Sequence, residues 1–102
     1  MQSKTNEKQL KLLIRALMSL ESEEEAENLL ADLCTIREVQ DLGQRIEVAR
    51  LLRRQTTYTE IAQATGASTA TISRVNRCLI YGAGGYRSVL DKLEKGEKQE
   101  ND

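Results

Sequence analysis

Leu10, Leu13, Ile14 and Leu17 follow the i, i+3, i+4, i+7 spacing that lines one face of an α-helix. Leu12, Met18 and Leu20 widen that stripe beyond what one side of a small monomer needs, so this first helix is expected to be buried on two sides, in an intersubunit position. Ala26, Leu29, Leu30 and Leu33 mark a second helix. Val39, Leu42, Ile46 and Ala49, alternately three and four residues apart, mark a longer third that ends near "RRQTT". A short segment, "YTEIAQAT", leads to Gly66 and then to "TGASTATISRVNRCL"; Tyr86, Val89, Leu90 and Leu93 supply a last amphipathic helix.

Polar residues punctuate this pattern. Ser22 with Glu25, Thr35 with Glu38, and Thr57 with Glu60 each form the S/T-x-x-E arrangement of a capping box, in which the hydroxyl and the carboxylate satisfy the free N–H groups of a helix start. The glycines of "YGAGGY" end one helix and turn the chain into the next. No strand signal and no internal repeat interrupts the series. The expectation is an all-α chain of six helices in one domain over residues 1–102, with a disordered tail from about residue 96 to 102.

Composition refines this picture. The 102 residues include no Phe, Trp, Pro or His and only three Tyr, so any core is aliphatic and modest, of the kind a partner subunit often completes. The opening "MQSKTNEKQL" has no apolar region behind its lysine, and no run is long enough to span a bilayer, so a cytoplasmic protein with no membrane partner is expected. Cys34 and Cys78 form no CxxC pair and have no histidine to complete a metal set, so both are read as reduced, mostly buried thiols. No metal or cofactor is expected.

The net charge of −1 conceals a segregation. Residues 1–43 carry five basic and nine acidic side chains, residues 44–87 seven and two, and residues 88–102 three and five. All seven basic residues of the middle block are arginine: Arg45, Arg50, Arg53, Arg54, Arg74, Arg77 and Arg87. A solvated face usually mixes signs. A one-sign block of guanidinium groups, each able to grip a phosphate through two N–H bonds, fits an anionic partner better.

That block contains two short helical segments joined at a glycine, over about residues 58–79. A helix-turn-helix needs a small residue where the helices cross, a turn residue tolerant of positive φ, and apolar residues holding the pair together. Ala62, Gly66, and the set Ile61, Ile72 and Val75 meet these needs in turn; an ordinary αα-hairpin is the alternative. On a helical wheel Ile72, Val75 and Leu79 face inward, while Ala70, Ser73, Arg74 and Arg77 lie opposite, with Thr69 at the N-terminal flank. Small side chains let a helix sink into the major groove. Their methyls can touch thymine, their hydroxyls can bond a base edge or phosphate, and arginine can take guanine or the backbone. Arg53 and Arg54 add expected DNA contacts, for roughly four phosphates per subunit and a salt slope near −7 for a dimer.

On these residues the chain resembles the Trp repressor superfamily, and within it the YerC/YecD-type TrpR-like proteins. The resemblance spans about Leu30 to Leu93 and is carried by "DLCTIREVQDLGQRIEVARLL", "YTEIAQATGASTATISRVNRCL" and "YGAGGY". It implies a six-helix intertwined homodimer presenting two reading heads to double-stranded DNA. It also implies a ligand pocket, because Thr35, Arg45, Thr71 and Arg74 match positions that hold tryptophan in the namesake repressor. Val75, however, stands where that repressor has glycine, and Cys78 where it has serine, so tryptophan is not expected to be the effector. Arg45 and Arg74 suit another small anionic ligand, or phosphates, equally well.

The leading expectation is a homodimeric, sequence-specific DNA-binding transcriptional regulator. The alternatives are a helical protein–protein interaction module and a regulator gated by an unknown small anionic ligand. Enzymatic activity is not expected: histidine is absent, no carboxylate pair lies in an apolar run, and "GAGG" lacks the lysine of a phosphate loop.

Overall fold

The computed structural model describes residues 4–101, with side chains described as far as Glu97. Six helices follow one another: α1 (Lys4–Met18), α2 (Glu23–Leu33), α3 (Ile36–Arg53), α4 (Tyr58–Thr65), α5 (Thr69–Tyr81) and α6 (Gly85–Asn101). No strand occurs among the described residues. No helix there is long and apolar enough to cross a membrane.

The helix starts form where the hydroxyl signals predict them. Ser22 Oγ accepts from the Glu25 N–H at 3.1 Å, which is the hydroxyl half alone of the expected capping box. At Thr35 and Thr57 both halves of the capping box are made: Glu38 N–H to Thr35 Oγ1 at 3.1 Å with Thr35 N–H to Glu38 Oε1 at 2.8 Å, and the same exchange between Thr57 and Glu60. The Thr35 backbone N–H and, to a lesser degree, the Thr35 hydroxyl draw the Glu38 carboxyl below the usual carboxylate range, because both favour its charged form.

The chain divides into two compact units, Met1–Val39 and Gln40–Asp102. In the first, neither α1 nor α2 has a buried residue. Leu10, Leu12, Leu13, Ile14, Leu17 and Met18 are all exposed, Met18 to 80%. The second holds the core. Val48 and Ala49 of α3, Ile61 of α4, Ala67, Ile72 and Val75 around α5, and Leu90 of α6 form one buried cluster, flanked by Leu51, Leu52, Ala62 and Tyr86.

α3 ends within "RRQTT" as expected, while the extent of α6 and the exposure of the cysteines depart from the sequence reading. α3 closes on Gln55, a non-glycine residue at φ +62, with Gln55 N–H bonded to the Leu52 carbonyl and Thr56 N–H to that of Leu51. That is the paired bonding of a Schellman closure with glutamine at its left-handed position. α6 continues to Asn101, past the point near residue 96 where a disordered tail is expected, since Lys, Glu and Gln are good helix formers that need no core to extend a helix already begun. Cys78, expected to be mostly buried, is exposed, and Cys34 is half-buried.

Candidate nucleic-acid interface

α4 and α5 pack against each other across a three-residue link. Gly66 closes α4 at φ +75, a conformation that costs an L side chain roughly 1–2 kcal/mol. Its N–H bonds the Ala62 carbonyl, and Gln44 of α3 donates Nε2–H to the Thr65 carbonyl at 3.2 Å, so the end of α4 is satisfied from outside. Thr65 shapes the link further, donating its hydroxyl to the Ile61 carbonyl at 2.7 Å and accepting from the Ala67 N–H at 3.1 Å. Ser68 then caps α5, its Oγ accepting from the Thr71 N–H at 3.1 Å.

Ala67 and Ser68 are parts of this turn that the sequence reading omits. Ala67 plugs the core from within the turn, and only its small size signals it. Ser68 is a plain N-cap signal, a hydroxyl immediately before the helix.

The faces of α5 separate cleanly. Ile72 and Val75 are 0% and 1% exposed, and they meet fully buried Ile61 and half-buried Ala62 beneath. Thr69, Ala70, Ser73, Arg74 and Arg77 are all exposed. α2 and α4 carry acidic residues in their first turns, whereas α5 carries none, so the positive end of its dipole is left uncompensated. Neither Arg74 nor Arg77 makes an ion pair among the described residues.

The arginines of α3 are differently placed. Arg53 Nη2 lies 2.6 Å from Asp91 Oδ1 of α6, and Arg50 and Arg54 both lie 3.5 Å from the carboxylate of Glu97. The hydrogen bond to Asp91 raises the Arg53 pKa and holds its guanidinium charged. Three members of the arginine block are thus paired with acids of α6, which the separate charge totals of the two segments do not reveal.

Thr71 is half-buried and its hydroxyl accepts from Ser68 Oγ at 3.1 Å. Arg74, one turn on, is exposed; Arg45 is half-buried on α3; and Thr35 caps α3 with its hydroxyl. Val75 of α5 is buried. Separately, Ile46, Cys78, Ala83, Tyr86 and Val89 line an open apolar groove of about 450 Å³.

An all-helical chain whose second unit is organised around this pair of helices is a helix-turn-helix protein. A profile of the Trp repressor protein family matches residues 8–94, and the chain belongs to that family. It is 50% identical over 92 residues to the uncharacterised protein YerC of Bacillus subtilis strain 168, spanning 90% of this chain and 88% of that one. Two crystal structures are close in fold. A candidate Trp repressor from Staphylococcus aureus has a TM-score of 0.81 at 45% identity, over 83% of this chain and 85% of its own. A TrpR-like protein from Eubacterium eligens ATCC 27750 has a TM-score of 0.80 at 47% identity, over 91% and 92%.

Proposed function

We propose that the protein is a homodimeric transcriptional regulator that reads double-stranded DNA with α5. The observation that carries this reading is the exposed face of Thr69, Ala70, Ser73, Arg74 and Arg77, set over an anchor of buried Ile72 and Val75. Thr69, Ala70 and Ser73 choose sequence through methyl and hydroxyl contacts in the major groove; Arg74 and Arg77 hold phosphates or guanine. Family membership supports the same assignment.

The dimer is supported by α1 and α2, whose apolar side chains find no core within the chain. A second copy covers them and sets two reading heads about 34 Å apart, one turn of the duplex, or a multiple of that. Tryptophan is not the effector in this reading, because buried Val75 fills the slot an indole ring would need, and overfilling a packed slot costs about 1–3 kcal/mol. Calorimetry should detect no tryptophan binding at micromolar concentration; binding there would remove this part of the proposal.

Selection from a random DNA pool at fixed salt, with and without added amino acids, tests the whole. A two-part motif with half-sites one turn apart is the expected product. If Arg74 and Arg77 of two subunits neutralise the phosphates, log K should fall with log salt at a slope of about −4. Binding independent of salt, or no enriched sequence, would refute the reading.

A further inference from the structure

Arg53 uses both ends of its fork inside the protein. Nη2 donates to Asp91 Oδ1 at 2.6 Å, and Nη1 donates to the backbone carbonyl of Arg87 at 3.2 Å. Arg87 in turn reaches back across the interhelical link, its Nε donating to the Leu79 carbonyl at 2.9 Å and its Nη2 to the Ile80 carbonyl at 3.2 Å. Those carbonyls belong to the last turn of α5, where a helix has no partners of its own and where its dipole favours a cation. Two guanidinium groups therefore connect the end of α3, the first half of α6 and the end of the proposed reading helix.

We propose that Arg53 and Arg87 are positioning residues that fix the direction of α5, and that Arg53 is not a phosphate contact although it lies in the arginine block. The inference rests on the DNA-reading function proposed above. A phosphate approaching Arg53 meets a guanidinium whose charge is already offset by Asp91 and whose Nη1 and Nη2 each hold a bond in place, one of them short and charge-assisted. Arg74 and Arg77 face no such competition from ion pairs among the described residues. Asp91 is the second half of the device: it holds the Arg53 fork in the plane from which Nη1 meets the Arg87 carbonyl.

Removing the acid separates the two roles by sign. Asp91→Ala should lower the ratio of affinity for the selected operator to affinity for a scrambled duplex by about two- to fivefold, the range of a partly exposed ion pair, and leave the salt slope unchanged. If Asp91 were merely withholding Arg53 from phosphate, the same variant would bind both duplexes more tightly, with a slope steeper by about 2 for the dimer. That result overturns the proposal. Arg53→Ala is the converse measurement, with an unchanged slope expected and a slope shallower by about 2 counting against.

Hydrogen exchange at the amides of Leu79 to Gly82 reads the clamp without DNA. Faster exchange there in Arg87→Lys than in the parent, with exchange at Ile61 and Ile72 unchanged, is the expected pattern, since one ammonium cannot reproduce a two-carbonyl fork. Equal exchange in variant and parent would discard the clamp. If the parent protein enriches no DNA sequence, the functional reading falls, and the exchange measurement still decides the clamp alone.

Discussion

Single positions in this chain work for reasons of backbone as much as of contact. Gln55 holds a left-handed conformation that glycine adopts without a Cβ penalty, so Gln55→Gly should stabilise the protein by about 0.5–1 kcal/mol in urea unfolding, whereas a β-branched residue there should destabilise it. Gly82 presents the opposite case. A Cβ built on it would lie 2.3 Å from the Cys78 carbonyl oxygen, a backbone atom of α5 that cannot swing away, so Gly82→Ala should cost about 1–3 kcal/mol by the same measurement. Sequence could identify Gly66, where a turn between two amphipathic segments demands a left-handed residue, but not Gln55, whose αL state follows from how α3 must end. Arg87 was legible as a charge. Its two bonds to carbonyls of α5 were not, because they depend on where α6 turns back.

At the scale of elements, the helix starts were the most readable feature, since each cap is a contact between residues three apart and owes nothing to tertiary structure. Thr57→Ala should remove the capping box of α4 and cost about 1 kcal/mol, read as a lower urea midpoint at constant m. Thr35→Ala has a pH signature. Glu38 titrates below the ordinary carboxylate range in the folded chain, so its stabilising contribution is complete above the unfolded carboxylate pKa and disappears as pH falls through the lower folded value. An NMR titration of the Glu38 carboxyl should move toward the ordinary value in the Thr35→Ala variant. The two-sided face of α5 was equally readable, because a 3.6-residue period assigns inward and outward positions from spacing alone. The end of α6 was not: "EKGEKQEND" has nothing to bury, yet α6 continues through it as far as Asn101.

The whole molecule is uneven. Residues 40–102 carry an aliphatic core to which four helices contribute, while α1 and α2 bury nothing of their own. The breadth of the α1 stripe was legible from spacing, and its apolar side chains are exposed in the single chain, whereas the pairing of Arg50, Arg53 and Arg54 with acids of α6 was invisible to a count of charges along the sequence. Leu13→Glu should abolish dimerisation in sedimentation equilibrium and reduce operator binding to the level of a scrambled duplex, because one head alone makes half the contacts. The missing core also carries a consequence for dosage. If the second copy is what shelters α1, folding and pairing become a single event, and dilution acts as a denaturant. Loaded promoters would then increase with roughly the square of chain number when chains are scarce, so a cell could set a sharp threshold for this regulator simply by how much of it is made.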